Sequence, residues 1–455
     1  MNNHIFREYD IRGIADNDLT TETVFLIGKA FGSYLIQHNH YSLSISGDVR
    51  KTTVMIKDAF IDGAISNGID VTDLGTLPTP VNYFSLYNTK IINSVQVTGS
   101  HNPSEYNGLK ISFNKKPFYG EDIKKLHEII KNNDFVDNGE KGSLSHFNIL
   151  DNYKSYMYDN IFINKKLRVV MDCGNAVGGI IAPEIYKNFN IELKELFCDV
   201  DPSFPNHHPD PTVDSNLKDI IKEMKTGKYD VGIAFDGDAD RIVAVDNLGN
   251  IIRADILLAF LLKFVVKQND SVVYDVKCSK SLEDVIELIG AKPIMWKTGH
   301  SLIKNKMIES KSKIGGEMSG HIFFSDRYFG FDDGIYVGLR LLEILSKSDL
   351  SLAEMIRDIP RYISTPEIRV DCLNDEEKIE ISNKLINYFK NKYDCCKIDG
   401  VRISFPYGWA LIRSSNTQPV IVFRFEADSE QNLDKISNEI LSKAEEYNLR
   451  INWFE

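Results

Sequence analysis

The chain has 455 residues, of which 43% are hydrophobic and 26% charged. These proportions are those of a globular protein, and at about 150 residues per domain the length predicts about three domains, within a range of two to four. The formal net charge is −12, from 53 basic and 65 acidic residues. Because an acidic surface repels nucleic-acid phosphates and anionic lipid, the charge argues against both as general partners.

The cysteines and the apolar runs bear on the compartment. The six cysteines include no C-x-x-C pair and are too few for a disulfide framework in a chain of this length. Met1 to Gly13 has no apolar core like that of a signal peptide. The longest apolar run, Ile256 to Leu262, is far short of the roughly 20 residues of a membrane helix. We therefore expect a soluble cytoplasmic protein with reduced thiols and no membrane partner.

Short β-branched runs alternate with amphipathic stretches along most of the chain, which predicts α/β layers with largely parallel strands. In chain order, the predicted elements are a strand at Tyr41–Ser46, a helix at Thr52–Asn67, strands at Lys90–Val97, Tyr106–Phe113 and Leu167–Cys173, a helix at Ile180–Asn188, strands at Tyr229–Phe235, Ile242–Val245 and Ser271–Val276, and a helix at Leu282–Ile289. The C-terminal part has α+β character, with helices at Glu377–Lys390 and Glu430–Glu446 around strands at Ile403–Phe405, Ala410–Arg413 and Val420–Ala427.

Turn-rich or charged stretches mark three candidate domain boundaries, near Asp151, Asn250 and Thr365-Pro366. Four domains fit these boundaries better than three. The predicted domains are 1–150, which carries a serine turn, 151–250, which carries an acidic loop, 251–365, which carries a Gly-rich loop, and 366–455. The βα pattern that begins three times is consistent with one fold used repeatedly.

The sharpest motif is the acidic loop Phe235-Asp236-Gly237-Asp238-Ala239-Asp240-Arg241. Three carboxylates at alternate positions, with a glycine that lets the chain curl, can converge on one hard cation. An EF-hand is excluded because its twelfth position is Asn247 instead of Glu and because strands flank the loop. Mg²⁺ suits a site with few protein oxygens, and Arg241 adds a donor for a phosphate beside the metal.

A second motif is Val97-Thr98-Gly99-Ser100-His101-Asn102-Pro103. An apolar strand leads into a Gly-Ser turn that can hold the Ser100 hydroxyl outward as a nucleophile or phosphate carrier. The residues around Ser100 do not fit the G-x-S-x-G elbow of α/β hydrolases. His101 is adjacent to the serine, so we do not expect it to act as a triad base.

A third motif is Gly315-Gly316-Glu317-Met318-Ser319-Gly320-His321. If this loop is extended, Glu317, Ser319 and His321 lie on one side and can bind sugar hydroxyls. The spacing of its glycines does not match a dinucleotide-binding loop.

A fourth motif, Arg413-Ser414-Ser415-Asn416-Thr417-Gln418-Pro419, combines one guanidinium with short polar side chains on a turn. This is the composition of a phosphate cradle, although a capping turn is also consistent with it. Two weaker clusters are Arg7 to Gly13, with two arginines and a tyrosine, and Lys297 to Ser301, with a titratable His300 after a glycine.

Taken together, these segments resemble the α-D-phosphohexomutase family, and in particular its bacterial phosphomannomutase/phosphoglucomutase branch. The resemblance covers essentially the whole chain, and its motifs are YDIRG (Tyr9 to Gly13), TGSHNP (Thr98 to Pro103), DGDADR (Asp236 to Arg241), GEMSGH (Gly316 to His321) and RSSNTQP (Arg413 to Pro419). It implies three similar mixed α/β domains and a C-terminal α+β domain around a central cleft. Two departures are Ala239, where glycine is more usual, and Ser46 to Arg50, which lacks the first basic residue of the usual GRDxR and puts any contact expected there in doubt.

The resemblance also implies residue roles. Ser100 matches the serine that carries a phosphoryl group, and together with Asp236, Asp238 and Asp240 it matches the ligands of Mg²⁺. Glu317 and Ser319 match the residues that contact the hexose hydroxyls. The phosphate that does not react is expected in a cradle of Arg413, Ser415, Asn416 and Thr417. Residues around the reacting centre, or otherwise in contact with the substrate, are expected to be Tyr9, Arg12, Lys110, Arg241, Lys277, His300 and His321.

The implied reaction interconverts hexose 1-phosphate and hexose 6-phosphate through a phosphoserine and a 1,6-bisphosphate, which reorients and also acts as activator. Lys110 and His300 are the candidate bases, and the sequence does not rank them. The expected partners are small-molecule sugar phosphates, and the expected state is a monomer or weak dimer. Four alternatives are a phosphoglucosamine-type mutase, a metal-dependent sugar-phosphate phosphohydrolase, a dinucleotide-binding oxidoreductase suggested only by Gly174 to Gly179, and a non-catalytic sugar-phosphate sensor. The sensor is disfavoured because every catalytic position is occupied. Among mutases, Met318 favours mannose and glucose over glucosamine.

Overall fold

The computed structural model describes residues 3–415 and 419–449 and divides into two compact units. The first unit comprises Met1–Leu257 and Ser319–Arg357, and the second comprises Leu258–Met318 and Asp358–Glu455. Among the described residues, no helix has both the length and the apolar character needed to cross a bilayer.

The N-terminal segment of the first unit is a mixed sheet with helices packed against it. Its strands are β1 (Ile11–Ile14), β2 (Ser42–Gly47), β3 (Asp70–Thr76), β4 (Ser94–Val97), β5 (Tyr106–Phe113), β6 (Lys116–Pro117) and β7 (Leu144–His146), and its helices are α1 (Thr21–Gln37), α2 (Thr53–Ser66), α3 (Thr79–Asn88), α4 (Glu121–Asn132) and α5 (Leu150–Asn160). The strand order is β1-β5-β4-β2-β3-β7, with β6 beside β5. β2, β3, β4 and β7 pair in parallel, and β5 is antiparallel to its neighbours.

The central strands β2 and β4 are buried almost throughout, as expected of parallel strands covered on both faces. Helices α1 and α2 approach each other through glycines. A Cβ on Gly28 would lie 2.2 Å from the Phe60 carbonyl oxygen, and one on Gly63 would lie 2.1 Å from that of Phe25. This packing fixes the layer behind the strands that lead into the Ser100 turn.

The next segment of the first unit repeats the βα pattern. Its elements are β8 (Leu167–Asp172), α6 (Ala182–Lys187), β9 (Ile191–Leu196), α7 (Lys218–Met224), β10 (Val231–Phe235), β11 (Ile242–Val245), β12 (Ile251–Ile252) and α8 (Ala254–Val265), which extends into the second unit. The sheet order is β12-β11-β10-β8-β9. β10 and β11 form an antiparallel hairpin in which Phe235 lies opposite Ile242, so the acidic loop is its connection.

The second unit begins with a parallel sheet in the order β14-β13-β15. Its elements are β13 (Ser271–Asp275), α9 (Lys280–Ile289), β14 (Lys292–Trp296), α10 (His300–Ser310) and β15 (Ile314–Gly316). The chain then returns to the first unit with β16 (Ile322–Phe324), α11 (Gly334–Leu345) and α12 (Leu352–Met355).

The C-terminal part of the second unit is antiparallel and so has the predicted α+β character. Its elements are β17 (Ile363–Ser364), β18 (Ile368–Asp371), α13 (Asp375–Lys390), β19 (Cys395–Cys396), β20 (Val401–Phe405), β21 (Gly408–Ser414), β22 (Val420–Ala427) and α14 (Glu430–Glu446). The order is β17-β22-β21-β20-β19, with β18 also beside β22. Buried apolar residues of α13 and α14 pack with the sheet, as in Leu385 and Ile440.

The predicted elements are found with small shifts at their ends, with one larger error. The strand predicted at Lys90–Val97 is regular only over Ser94–Val97. Asn93 instead uses its side chain in local bonds, donating to the Ser42 carbonyl at 3.0 Å and accepting from the Asn114 N–H at 3.0 Å. An asparagine that competes for backbone groups in this way favours a loop over a strand.

Candidate active site

Ser100 lies in the turn that joins β4 to β5, with its backbone in the left-handed region at φ 49°. Its N–H donates to Thr98 Oγ1 at 2.9 Å, which holds the turn on the strand before it. Its hydroxyl donates to Asp236 Oδ2 at 3.0 Å, and Oγ also lies 3.1 Å from His101 Nδ1. The predicted serine is therefore next to a residue of the acidic loop.

His101, which is not expected to act as a triad base, nevertheless contacts the serine. Burial, followed by the positive charge of Arg241, lowers the pKa of His101 well below its ordinary value. The ring is therefore neutral and can accept or donate a hydrogen bond at Nδ1, depending on its tautomer. Adjacent residues in a regular strand could not meet in this way, but the left-handed turn at Ser100 brings the ring back to Oγ.

The three carboxylates of the acidic loop are fully buried and point toward one another. Each of Asp236, Asp238 and Asp240 places a carboxylate oxygen within 4.8 Å of the others. The loop also packs tightly on the serine turn, since a Cβ on Gly237 would lie 2.2 Å from the Ser100 carbonyl oxygen. The glycine is thus needed for close approach to another backbone, a requirement beyond the curl predicted from the sequence.

The electrostatics of this cluster fit a divalent cation. Burial, then repulsion from Asp240 and Asp238, raises the pKa of Asp236 well above its ordinary value. Two oxygens, Asp238 Oδ1 and Asp240 Oδ1, are buried and accept no hydrogen bond within the described residues. Oxygen ligands with excess negative charge are the donor set that Mg²⁺ prefers, so these residues fit the predicted metal.

Lys110, on β5, is also in contact with this cluster. Its Nζ lies 2.6 Å from Asp238 Oδ2 and 2.5 Å from Asp240 Oδ2. Burial alone would lower the pKa of Lys110, but Asp238 and Asp240 outweigh burial and raise it well above its ordinary value. Asp238 responds oppositely: burial would raise its pKa, but Lys110 holds it below the usual range. Thr79, at the start of α3, also donates to Asp238, a contact between distant parts of the sequence that no motif predicted.

Arg241 is held between the acidic loop and His321. Its N–H donates to Asp236 Oδ1 at 3.1 Å, and its Nε donates to His321 Nε2 at 3.0 Å. Because Nε2 accepts, the ring proton is on Nδ1, which lies 2.9 Å from Asp332 Oδ2. Asp332 is a further residue that was not predicted from the sequence.

The edge strand β1 of the first unit's mixed sheet contains Arg12, and Tyr9 lies close to it in the sequence. Arg12 is on β1, opposite Gly108 of β5, and its Nη2 lies 2.5 Å from Asp10 Oδ2. Tyr9 precedes β1 and is half-buried. The register places Arg12 one strand from Lys110, since β1 pairs directly with β5.

The Gly-rich loop is not extended throughout, so the condition set for its three polar side chains to lie on one side is not met. The chain turns at Met318–Ser319, and Gly320 has φ 108°, a left-handed value that ends any alternation of side chains. Glu317 belongs to the second unit, whereas Ser319 and His321 belong to the first. Within the first unit, the loop is tied to the metal loop by Ile242 N–H, which donates to the Gly320 carbonyl at 3.1 Å.

Glu317, Lys277 and His300 belong to a second cluster, at the ends of the parallel strands in the second unit. Glu317 is buried and accepts a hydrogen bond from the Gly299 N–H, directly before His300 and the start of α10. Lys277 follows β13 and pairs with Glu367 Oε1 at 3.0 Å. Burial alone would lower the pKa of Lys277, but Glu367 outweighs it and raises that pKa.

Asp399 accepts hydrogen bonds from the predicted phosphate cradle and from the loop that precedes His300. One oxygen, Asp399 Oδ2, accepts from Arg413 Nε at 2.7 Å and from the Thr298 N–H at 3.1 Å. Ser415 follows β21, and its N–H donates to the Val420 carbonyl at 2.8 Å. The predicted cradle residues Asn416 and Thr417 lie outside the described residues. Asp399 lies in no recognisable motif, so it could not be predicted from the sequence.

Sequence models of four domains match the chain in order: phosphoglucomutase/phosphomannomutase alpha/beta/alpha domains I at 3–137, II at 151–249 and III at 253–362, and the C-terminal domain at 367–443. A protein with these four domains, a serine beside three carboxylates and a second polar cluster is built for transfer of phosphoryl groups. The chain belongs to the phosphoglucomutase/phosphomannomutase family, and the predicted family and fold class are confirmed.

Individual relatives agree with this assignment. A Pseudomonas syringae protein named phosphomannomutase/phosphoglucomutase is 43% identical over 95% of this chain and 93% of its own. A Neisseria meningitidis protein named phosphoglucomutase is 39% identical over 96% and 95%. A crystal structure of a phosphoglucomutase/phosphomannomutase family protein from Burkholderia thailandensis has TM-score 0.92 at 37% identity and covers 99% of both chains.

Proposed function

We propose that this protein is a Mg²⁺-dependent mutase that interconverts the 1-phosphates and 6-phosphates of mannose and glucose through a phosphoserine at Ser100. The observation that carries the proposal is the contact between Ser100 Oγ and Asp236 Oδ2, at 3.0 Å, in a cluster of three buried carboxylates. A serine hydroxyl beside a cation site can both receive and donate a phosphoryl group. The family and the names of its relatives supply the substrate class.

In the proposed reaction, the sugar hydroxyl forms a bond to the phosphorus carried by Ser100 while the bond from phosphorus to Oγ breaks. The hydroxyl proton passes to a base, and the serine oxygen keeps the electron pair. Lys110 and His300 are the candidates, and Lys110 could serve only after losing the proton that Asp238 and Asp240 hold on it. Mg²⁺, held by Asp236, Asp238, Asp240 and a phosphate oxygen on Ser100, would neutralise charge on the transferring group when bound. The product of this half-reaction is a hexose 1,6-bisphosphate.

The second half-reaction returns a phosphoryl group to the enzyme. The bisphosphate turns around, the Ser100 oxygen bonds to the phosphorus of the other phosphate, and the bond from that phosphorus to the sugar oxygen breaks. The sugar oxygen takes back the proton held by the base, and the monophosphate isomer leaves. Because the bisphosphate can transfer a phosphoryl group to Ser100, added bisphosphate would phosphorylate an enzyme that lacks this group and so act as an activator. Residues proposed to act on the reacting phosphate from the first unit are Arg12, Arg241 and His321, with Tyr9 and Ser319 as further substrate contacts.

Binding of the rest of the substrate is assigned to the second cluster. Glu317 is proposed to bind sugar hydroxyls, and Arg413, with Ser415, Asn416 and Thr417, to hold the phosphate that does not react. Lys277 and His300 are the further contacts. The bond from Arg413 Nε to Asp399 orients the guanidinium plane, which is the property that bidentate phosphate binding requires.

The test is the intact mass of the purified protein before and after acid phosphatase, combined with a mutase assay. We expect a phosphate on the Ser100 peptide, mutase activity on mannose 1-phosphate, and loss of both in S100A. S104A, an exposed serine in the same turn, is the matched control and should retain both. Full activity in S100A would refute the proposal.

Two measurements separate the alternatives within this chemistry. A phosphohydrolase releases inorganic phosphate in step with substrate loss, whereas a mutase releases almost none. Comparison of kcat/KM for mannose, glucose and glucosamine 1-phosphates tests the sugar preference, and a preference for glucosamine would overturn the assignment made from Met318. Sedimentation would test the proposed monomer or weak dimer. The six cysteines are free, consistent with the proposed cytoplasmic location.

A further inference from the structure

Arg50 is a buried cation whose guanidinium hydrogen bonds reach the turn that carries Ser100 and the residue that follows it at the start of β5. Nη1 donates to the carbonyls of Pro103 at 2.5 Å and Tyr106 at 2.9 Å, and Nη2 donates to those of Ser100 at 2.7 Å and Asn102 at 2.6 Å. The residue is only 3% exposed. The four terminal N–H groups of one guanidinium are therefore used on four backbone carbonyls, three in the turn and one at the first residue of β5.

Asp48, two residues before Arg50, organises the start of the same turn. Its Oδ2 accepts from Thr98 Oγ1 at 2.8 Å and from the Gly99 N–H at 3.1 Å. The same oxygen lies 3.4 Å from Arg50 Nε. The Asp48 carboxylate thus binds the donors of the two residues before Ser100. The Arg50 guanidinium binds the carbonyl of Ser100 and carbonyls that follow it.

Gly99 is needed for the guanidinium to sit against the backbone. A Cβ at this position would lie 2.4 Å from Arg50 Cζ and 2.5 Å from Nε. Gly99 does not have a left-handed φ, so its backbone would accept alanine. The constraint on this glycine therefore comes from Arg50.

We propose that Arg50 is a positioning residue for Ser100, which fixes the turn so that Oγ faces the metal carboxylates. This inference rests on the function proposed above and assigns a role to the motif Ser46 to Arg50, whose contacts the sequence left in doubt. Ser100 holds a left-handed backbone conformation, which a non-glycine residue adopts only when its surroundings impose it. The four carbonyl bonds of Arg50 impose it, and they leave the Ser100 hydroxyl to reach Asp236.

The first test is R50K, which keeps the charge but replaces a planar fork by a single ammonium that cannot span four carbonyls. Because misplacement of a reacting group by about 1 Å costs about 100-fold in rate, we expect kcat to fall about 100-fold. Arg50 does not contact the sugar in this scheme, so KM should change less than about threefold, the size of an effect below 1 kcal/mol. Circular dichroism and the melting temperature report on folding in parallel.

The second test is chemical rescue of R50A by guanidinium at millimolar concentration, with sodium at equal ionic strength as the control. Guanidinium should fill the cavity and restore at least about tenfold of the lost kcat, since it supplies the same planar donors. A general loss of stability would not be repaired in this way.

Arg340, in α11, offers a matched buried arginine outside the serine turn. It is 5% exposed, and its Nη1 donates to the Asp326 carbonyl at 3.0 Å. R340K and R340A should lose stability, keep kcat near that of the wild type, and show no rescue.

If R50A or R50K does not fold, G99A gives an independent test, because its added methyl displaces the guanidinium. G99A should lower kcat with little change in KM, and G99A in the R50A background should cause no further loss where that variant folds. A wild-type kcat in R50K or in G99A, or rescue of R340A equal to that of R50A, would overturn the inference. A wild-type protein without mutase activity would instead refute the proposed function.

Discussion

Asp333, at the start of α11, makes the stability of the first unit depend on pH in a direction opposite to that of most carboxylates. It is buried, its Oδ1 accepts from the Tyr336 N–H at 2.9 Å, and its Oδ2 accepts from the hydroxyls of Tyr153 at 2.8 Å and Tyr328 at 2.6 Å. Burial outweighs these hydrogen bonds and raises the pKa of Asp333 to about 6 from 3.8.

The magnitude follows from the difference between the two pKa values. At about 1.4 kcal/mol per pKa unit, the difference corresponds to about 3 kcal/mol. Between about pH 4 and about pH 6 the folded state binds more protons at Asp333 than the unfolded state. The contribution of Asp333 to the free energy of unfolding therefore decreases as pH rises through this window.

D333N removes this titration with little other change. The Asn side-chain oxygen can still accept from the Tyr336 N–H, since Asn is as good an N-cap as Asp, and the tyrosine hydroxyls can rotate to accept from the amide. The free energy of unfolding of D333N minus that of the wild type should increase by about 3 kcal/mol between about pH 4 and about pH 7.

The assay is urea unfolding followed by far-UV circular dichroism at a series of pH values. Taking the difference from the wild type cancels the titration of all other groups that the substitution leaves unchanged. D349N, which changes an exposed carboxylate, is the control and should show a much smaller change. A D333N difference that is constant with pH, or that decreases as pH rises, would refute the reasoning.

Three other predictions concern the candidate site. Mg²⁺ at about 100 times its Kd should raise the free energy of unfolding by about 2.7 kcal/mol relative to EDTA, and D238N should abolish this increase; an equal increase in D238N would place the metal elsewhere. G237A should lower kcat about 100-fold because its Cβ would lie 2.2 Å from the Ser100 carbonyl oxygen. The comparison variant is G227A, which has no atoms within 4 Å but a left-handed φ of 71°, so it should lose some stability and keep the wild-type kcat; steady-state assays of both variants decide the point. R413K should raise KM about tenfold with a smaller effect on kcat, since lysine lacks the bidentate fork; a loss confined to kcat would contradict the assignment of Arg413 to the phosphate that does not react.

The sequence predicted the elements of the fold where hydrophobic pattern and pairing agree. Tyr106–Phe113, Ile242–Val245, Val420–Ala427 and Glu430–Glu446 have the predicted bounds. These segments have clear periodicity and end at turn residues or helix caps, so local signals are sufficient. The prediction of a strand over Lys90 to Asn93 was wrong. The apolar composition of this segment does not reveal that the Asn93 side chain forms hydrogen bonds with nearby backbone groups.

Prediction of the site was limited by contacts between residues far apart in sequence. The alternation of Asp236, Asp238 and Asp240 indicates a metal loop by itself, and the structure brings all three together. Asp399 contacts Arg413 and Asp332 contacts His321, and no spacing along the chain could have shown these contacts. For the Gly-rich loop, the sequence did not show whether the chain is extended, and the positive φ of Gly320 is seen only in the structure.

The bond between Asp399 and Arg413 has a consequence for selectivity. A guanidinium already paired with a carboxylate attracts anions less strongly through bare charge than an isolated one, so small anions such as inorganic phosphate gain less from it. Because the same carboxylate also accepts from the Thr298 N–H, the direction of the guanidinium is fixed before any ligand arrives. Under the proposed function, affinity at this position would then depend on how well a phosphate matches the fork, and less on the charge it carries. In a protein of net charge −12, anion recognition would thus rest on shape at one arginine instead of on a broad positive surface.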